Sequence, residues 1–301
     1  MTGADVRIQK VLADAGVASR RASDLLVAQG RVSVNGEPAV AGQRVDPGAD
    51  RIEVDGRTIS QAPIPRVYLA MAKPAGVTST VRDSHADRTV VELVPADLRG
   101  AGRIYPVGRL DRDSEGLLLL TSDGDWAQGV LHPKHELERE YAIGLRDELN
   151  ERQAAALMAG IELDEGLATL EGLRPQRPQE TRQMEHQMGR GPTLAWYRAV
   201  LRQGWRRQLR RMFAAVEAPV ERLIRVRIGP LRLDGMQAGD VRPLTRRERH
   251  QLESAAAPAR HVPRPTGPAT YASGPVEPAR HAPRSAAPPR SRPAARPGSR
   301  S

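Results

Sequence analysis

The chain has 301 residues, no cysteine and a formal charge of +10, so it is long enough for about two domains and cannot use disulfides, thiolate nucleophiles or cysteine-ligated zinc. The charge points to a polyanionic partner, although the stretch from Gln251 to Ser301, with eight Arg against Glu253 and Glu277, supplies +6 of it. No apolar run approaches the ~18 residues of a membrane span and the N-terminus has no hydrophobic signal core, so a cytoplasmic protein that does not engage membranes is expected.

Residues 1–56 read as a small unit of two helices and a hairpin. Ile8, Val11, Leu12 and Ala15 recur at helical spacing before Gly16 stops the helix. Ser19 can cap a second helix carrying Ala22, Leu25 and Leu26 and ending at Gly30. Val32 and Val34 alternate before Asn35-Gly36, and Ile52 and Val54 alternate before Asp55-Gly56, both tight-turn dipeptides. Residues 57–66 contain two prolines and read as a linker.

From 67 to 247 strands and helices mix without regular βαβ spacing. Leu117 to Leu120 is an apolar run ending in Ser122-Asp123-Gly124, which predicts a buried strand, and Tyr141, Ile143 and Leu145 alternate as a half-buried one would. Asn150 to Gly160 has a cap, an Ala-rich middle and a terminal Gly, and reads as a helix. Leu209, Met212, Phe213 and Val216 form an apolar helical stripe, and Val226 and Ile228 alternate in a further strand. The order suits a mixed, largely antiparallel sheet with helices packed on it. The remainder, 248–301, is rich in Pro, Arg and Ala, has few apolar residues to offset ordering entropy, and is expected to be disordered.

Arg7, Lys10, Arg20, Arg21 and Arg31 lie near or between the first two predicted helices. Alone, such a set is a solvated basic face, and the preference for Arg over the three Lys of the chain is equally a matter of codon usage. The ordered pattern VRIQKVLADAGVASRRASDLLVAQGRVSVNGEPAVAGQRVDPGADRIEVDG, however, resembles the S4 RNA-binding domain over nearly its whole length, including the Ser-Arg-Arg start of the second helix and the Val-Asn-Gly turn. The resemblance implies that Arg7, Lys10, Ser19, Arg20, Arg21, Arg31 and Asn35 bind folded RNA through phosphates and shape. Such contacts position an RNA without choosing the reacting nucleotide.

Asp111, Asp113 and Glu115 alternate just before Gly116. The D-x-D-x-E-G start suggests a calcium loop, but its twelfth position is Ser122 rather than a bidentate acid, and Leu117 to Leu120 would be poor company for a hydrated cation. The three acids also read as surface charges paired with Arg109 and Arg112. His132 and His135 have no third ligand in view and read as helix-end or surface histidines, so no metal is expected.

The segment GRLDRDSEGLLLLTSDG closely resembles the signature of the pseudouridine synthases that act on ribosomal RNA and carry an N-terminal S4 domain. In that family the Asp of Gly-Arg-Leu-Asp is the catalytic carboxylate, and Asp111 stands in its place. MAKPAGVTST resembles the family's Lys-Pro-x-Gly opening, LHPKHELEREYAIGL puts Tyr141 where a Tyr packs on the target base, and QGWRRQLRRMFAAVEAPVERLIRVRIGPLRL puts Arg210 where a basic residue pairs with the catalytic Asp. Trp205-Arg206 departs from the smaller or amide residue common there. Arg109 and Arg207 are further candidates for substrate binding.

The resemblance spans about 6–247 and implies an α+β chain: a small S4-like α/β RNA-binding domain (1–56), a linker (57–66), a mixed, largely antiparallel synthase domain (67–247) and a disordered tail (248–301). Converting uridine to pseudouridine involves no redox change and no external acceptor, so no cofactor is expected. The carboxylate can act as nucleophile or as base, and the sequence leaves both open. The expected partner is ribosomal RNA, of the large subunit by preference, or a pre-ribosomal particle, bound by a monomer. A non-catalytic S4-type assembly factor and a small-subunit target are the alternatives.

Overall fold

The computed structural model describes residues 5–60, 64–81, 88–131 and 137–256. The first module opens with β1 (Val6–Arg7), α1 (Ile8–Asp14) and α2 (Arg20–Ala28), followed by β2 (Val32–Val34), β3 (Glu37–Pro38), β4 (Arg44–Val45), β5 (Ile52–Val54) and β6 (Arg57–Thr58). Ile8, Val11 and Leu12 are buried as their spacing predicts, and they pack on Val27, Val32, Val34, Val45 and Ile52. The second helix differs from expectation. Ser23 and Val27 face the core, while Leu25 is 62% exposed.

The two turn dipeptides work as read, with Asn35 and Asp55 at positive φ ahead of their glycines. Because the second hairpin closes by pairing β6 with β5, Arg57 and Thr58 belong to the β3-β2-β5-β6 sheet and not to a linker.

The second region contains β7 (Tyr68–Lys73), β8 (Tyr105–Val107), β9 (Glu115–Thr121), α3 (Gly124–Leu131), β10 (Arg139–Leu145), α4 (Glu151–Ala159), β11 (Ile161–Leu163), β12 (Gly166–Ala168), β13 (Glu171–Pro175), α5 (Pro178–Met188), β14 (Ala195–Leu201), α6 (Gln208–Ala215), β15 (Val220–Ile228), β16 (Leu231–Arg232), β17 (Val241–Pro243) and α7 (Arg246–Ala255). Nine of these strands form one sheet, with β13-β14-β10-β15-β9-β7-β17 as its path and β16 and β8 at the sides of β15 and β9. Only β15–β9 is parallel, so the sheet is mixed and largely antiparallel.

Both faces of the sheet are covered. All seven residues of β9 are buried, with Leu118 and Leu120 in one apolar layer and Leu117 and Leu119 in the other. This explains why the run reads as continuous rather than alternating. β10 is likewise central: Tyr141, Ile143 and Leu145 point into one layer and Ala142 into the other, so the strand is buried on both sides rather than half-buried. The Asn150–Gln153 capping box starts α4, and Leu209, Met212 and Phe213 of α6 are buried as the stripe predicts.

The expected disordered tail starts too early. Thr245 and Glu248 form a capping box that opens α7, Leu252 is buried in the second layer, and Ala256 is buried as well. The rest of that expectation, from 257 onward, lies outside the described residues, as do His132 and His135.

Candidate active site

The acidic segment ahead of β9 forms a short turn, closed by the Ser114 amide donating to the Asp111 carbonyl at 3.0 Å. Most of the carbonyls around it are tied to other elements. Ser79 Oγ both donates to the Leu110 carbonyl (2.8 Å) and accepts from the Leu110 amide (3.1 Å). The Gly76 amide donates to the Arg112 carbonyl at 2.8 Å. Lys73, at the end of β7 and fully buried, donates to the carbonyls of Pro74 (3.0 Å), Arg112 (3.2 Å) and Ser114 (2.6 Å). Its three N–H groups therefore have three acceptors, the right number for an ammonium. Burial pushes Lys73 down to about 8, against the opposing pull of Glu115, Asp113 and Asp111.

From the other side, Arg225 of β15 donates through Nε to the Leu117 carbonyl (2.7 Å) and through Nη1 to that of Arg109 (3.5 Å). The Lys-Pro-x-Gly segment and β15 thus hold the Asp111 turn between them. Gly116, at φ +99°, lets β15 come close: Arg225 is its direct partner in the parallel pair, and a Cβ there would overlap the Arg225 carbonyl oxygen.

The turn borders a cavity of about 660 Å³ whose lining includes Arg109, Asp111, Arg139, Tyr141, Trp205 and Arg225. Four of the expected site residues, Asp111, Tyr141, Arg109 and Arg207, line it. Tyr141 is buried in the sheet floor, opposite Arg225 in register. The Asp111 side chain is 31% exposed, with Arg207 Nη1 at 3.7 Å. Arg207 caps α6 at φ +50°, a left-handed conformation rare for a residue with a side chain.

Arg210 does not make the expected pair. Its Nη2 lies 3.3 Å from Asp113 Oδ2 and its Nη1 donates to the Val220 carbonyl at 2.8 Å, so its direct partner is Asp113, which Arg207 also meets at 3.2 Å. Burial lowers the Arg210 pKa, and Asp113 and Asp111 oppose that shift. Arg211 turns away from the cavity to Glu165 at 2.8 Å. The other acids do not pair with Arg109 and Arg112 as a surface reading would have them. Asp113 belongs to Arg207 and Arg210, and buried Glu115 takes a bidentate pair from Arg222 at 2.7 and 2.8 Å.

The basic residues of the first module divide. Arg7, Arg20 and Arg21 are exposed. Lys10 instead bridges Asp14 (2.8 Å) and Asp125 of α3 (3.1 Å), joining the module to the larger region. Arg31 is held by Asp55 at 2.6 Å, Ser19 accepts from the Ala22 amide as the cap of α2, and Asn35 fixes its turn through Asp50 and the Arg51 amide.

Lys73, Arg139 and Arg225 were missed in the sequence. Lys73 had a signal, a charged residue ending an otherwise apolar strand, which is costly unless something recovers its hydration; Arg139 and Arg225 had none, because their strands carry other charges beside them.

Residues 67–215 match the RNA pseudouridylate synthase family and residues 6–50 match the S4 domain. An uncharacterised RNA pseudouridine synthase of Mycobacterium tuberculosis is 37% identical over 252 residues, covering 83% of this chain and 94% of the relative. A protein named ribosomal large subunit pseudouridine synthase B, from Bacillus subtilis, is 35% identical over 254 residues, covering 83% and 96%. A crystal structure of a pseudouridylate synthase aligns over 82% of this chain and 99% of its own, with 26% identity and a TM-score of 0.54.

Proposed function

The chain belongs to the RNA pseudouridine synthase family and is such an enzyme, and we propose that it converts one uridine of large-subunit ribosomal RNA to pseudouridine with Asp111 as the reacting carboxylate. The reading rests above all on one arrangement: a partly accessible carboxylate at the edge of a cavity, on a turn immobilised from both sides, with a tyrosine ring in the floor. Such fixing matters because a misplacement of even ~1 Å can cost ~100-fold in rate.

The reaction breaks N1–C1′, turns the uracil and forms C5–C1′; the proton lost from C5 is balanced by one gained at N1, with no net redox change. Asp111 serves either as nucleophile or as base at C2′, and Arg207 supplies a guanidinium beside it. The Tyr141 face packs against a uracil turned out of the RNA, an extrusion that costs a few kcal/mol. Arg210 acts one step back, holding Asp113 and the turn.

In the S4 module the exposed Arg7, Arg20 and Arg21 are the residues placed to meet phosphates, whereas Lys10, Ser19, Arg31 and Asn35 shape the surface that carries them. The choice of the large subunit follows the name of the Bacillus subtilis relative.

Asp111→Asn tests the assignment, because it keeps size and removes the charge. Tritium release from C5-labelled ribosomal RNA should drop below detection, while thermal unfolding and RNA affinity stay near those of the parent. Substantial turnover by Asp111→Asn would move the chemistry elsewhere.

A further inference from the structure

Arg225 carries a charge that the fold does not neutralise. It is only 4% exposed, and its two hydrogen bonds go to backbone carbonyls. Among the described residues no carboxylate lies within ion-pair distance of it, and its Nη2 is buried with no hydrogen-bond partner. An unmatched donor on a buried cation is destabilising unless something that arrives later satisfies it. The residue lines the cavity that holds Asp111, beside Tyr141, its register partner on the neighbouring strand. Resting on the uridine-isomerising reading above, we propose that Arg225 Nη2 donates to a carbonyl oxygen of the target uracil and holds the base while it turns.

The position selects the atom. The ribose stays joined to the RNA, so it remains at the open side, where Asp111 is 31% accessible. The base edge opposite N1, with O4, then points toward the enclosed side, where Arg225 lies. A guanidinium can only donate. It therefore donates to the O4 carbonyl of uracil and has nothing to offer the amino group that cytosine carries at the same place, which makes it a residue that selects uridine.

The symmetry of uracil extends the argument. A half-turn about the N3–C6 axis exchanges N1 with C5 and also O4 with O2. After the turn that brings C5 to C1′, the oxygen facing Arg225 is O2, in the place O4 has left. One fixed donor thus meets a carbonyl before cleavage and again before rejoining, and no protein group has to move. Arg225 also braces the Leu117 and Arg109 carbonyls, so base reading and the Asp111 turn share one rigid support.

The test compares kcat/KM, by C5-tritium release, on ribosomal RNA fragments bearing uridine, 4-thiouridine or 2-thiouridine at the target, for the parent enzyme and for Arg225→Lys and Arg225→Gln. Sulfur is a weak acceptor, so the parent should lose roughly 10- to 100-fold on either thio substrate. Both variants should be slower on uridine yet show less than about threefold further loss on the thio substrates, because neither shorter side chain brings an N–H to the place of Nη2. Thermal unfolding and RNA affinity of the variants report whether the turn survives. Should neither variant fold, the parent's thio penalty alone decides. Equal turnover of uridine and 4-thiouridine by the parent, or a full thio penalty retained by a folded variant, overturns the assignment to Arg225. Failure of the parent to release tritium from any ribosomal RNA would overturn the functional reading with it.

Discussion

Gly116→Ala puts the close approach of β9 and β15 to the test. Gly116 sits at φ +99°, and its added Cβ would overlap the Arg225 carbonyl oxygen and lie 2.8 Å from the Arg225 nitrogen. Backbone atoms of a central strand cannot rotate aside as the end of a flexible side chain can. The conformational strain is about 1–3 kcal/mol for a residue forced into such a region, and prying two packed strands apart adds about 1–3 kcal/mol. A loss of about 2–6 kcal/mol is a large part of the 5–15 kcal/mol by which domains are typically stable. Gly129→Ala is the internal control: Gly129 is an exposed helical position in α3, and a Cβ there meets nothing within 4 Å. That change should stabilise by about 0.5–1 kcal/mol. Urea denaturation of the three proteins gives the differences directly, and tritium release reports on the turn. Whatever Gly116→Ala protein folds should be slow, because Arg225 and the Asp111 turn are displaced together. A Gly116→Ala midpoint equal to the parent's would refute the claim that a glycine is needed between the parallel strands.

The lysine clamp predicts an alkaline limb in activity that is separate from unfolding. As Lys73 loses its proton near pH 8, one of its three carbonyls loses its donor and the turn loosens, so turnover should fall with a midpoint near 8. Stability should not fall with it: from about pH 8 to the unfolded value of 10.5 the unfolded chain holds a proton that the folded lysine has released, which favours folding as pH rises. Tyr68 and Tyr105, pushed up to about 12, act the other way, but only above pH 10. A rate loss that tracks thermal unfolding, or that begins only above pH 10, would remove Lys73 from the account. Glu115→Gln should behave oppositely to Asp111→Asn: it strands the mostly buried Arg222 guanidinium, costs about 2–4 kcal/mol in chemical denaturation, and leaves turnover per folded molecule within a few-fold.

Much of the architecture is written in short stretches of sequence, because its causes are local. The four leucines from Leu117 to Leu120 fill both faces of a central strand, so no alternation was needed to find it. Asn150 with Gln153 caps a helix within four residues, and the Asn35 and Asp55 turns are two-residue devices. Asp111, which lines the cavity, could be proposed from the sequence because the residues of its segment are contiguous in the chain.

What only the tertiary structure decided are the partners of charges. Lys73 reaches Ser114 across 41 positions, Arg225 reaches Leu117 across 108, and Glu115 finds Arg222 rather than a neighbour. Sequence spacing did not distinguish Asp111 from Asp113 as the direct partner of Arg210, nor show that Lys10 would be taken up by Asp125. Charged side chains are long and carry no periodic signature of their partners. Which groups they meet is fixed only when the sheet closes and withholds some of them from water, and that same enclosure leaves one nitrogen of Arg225 without a partner at the cavity.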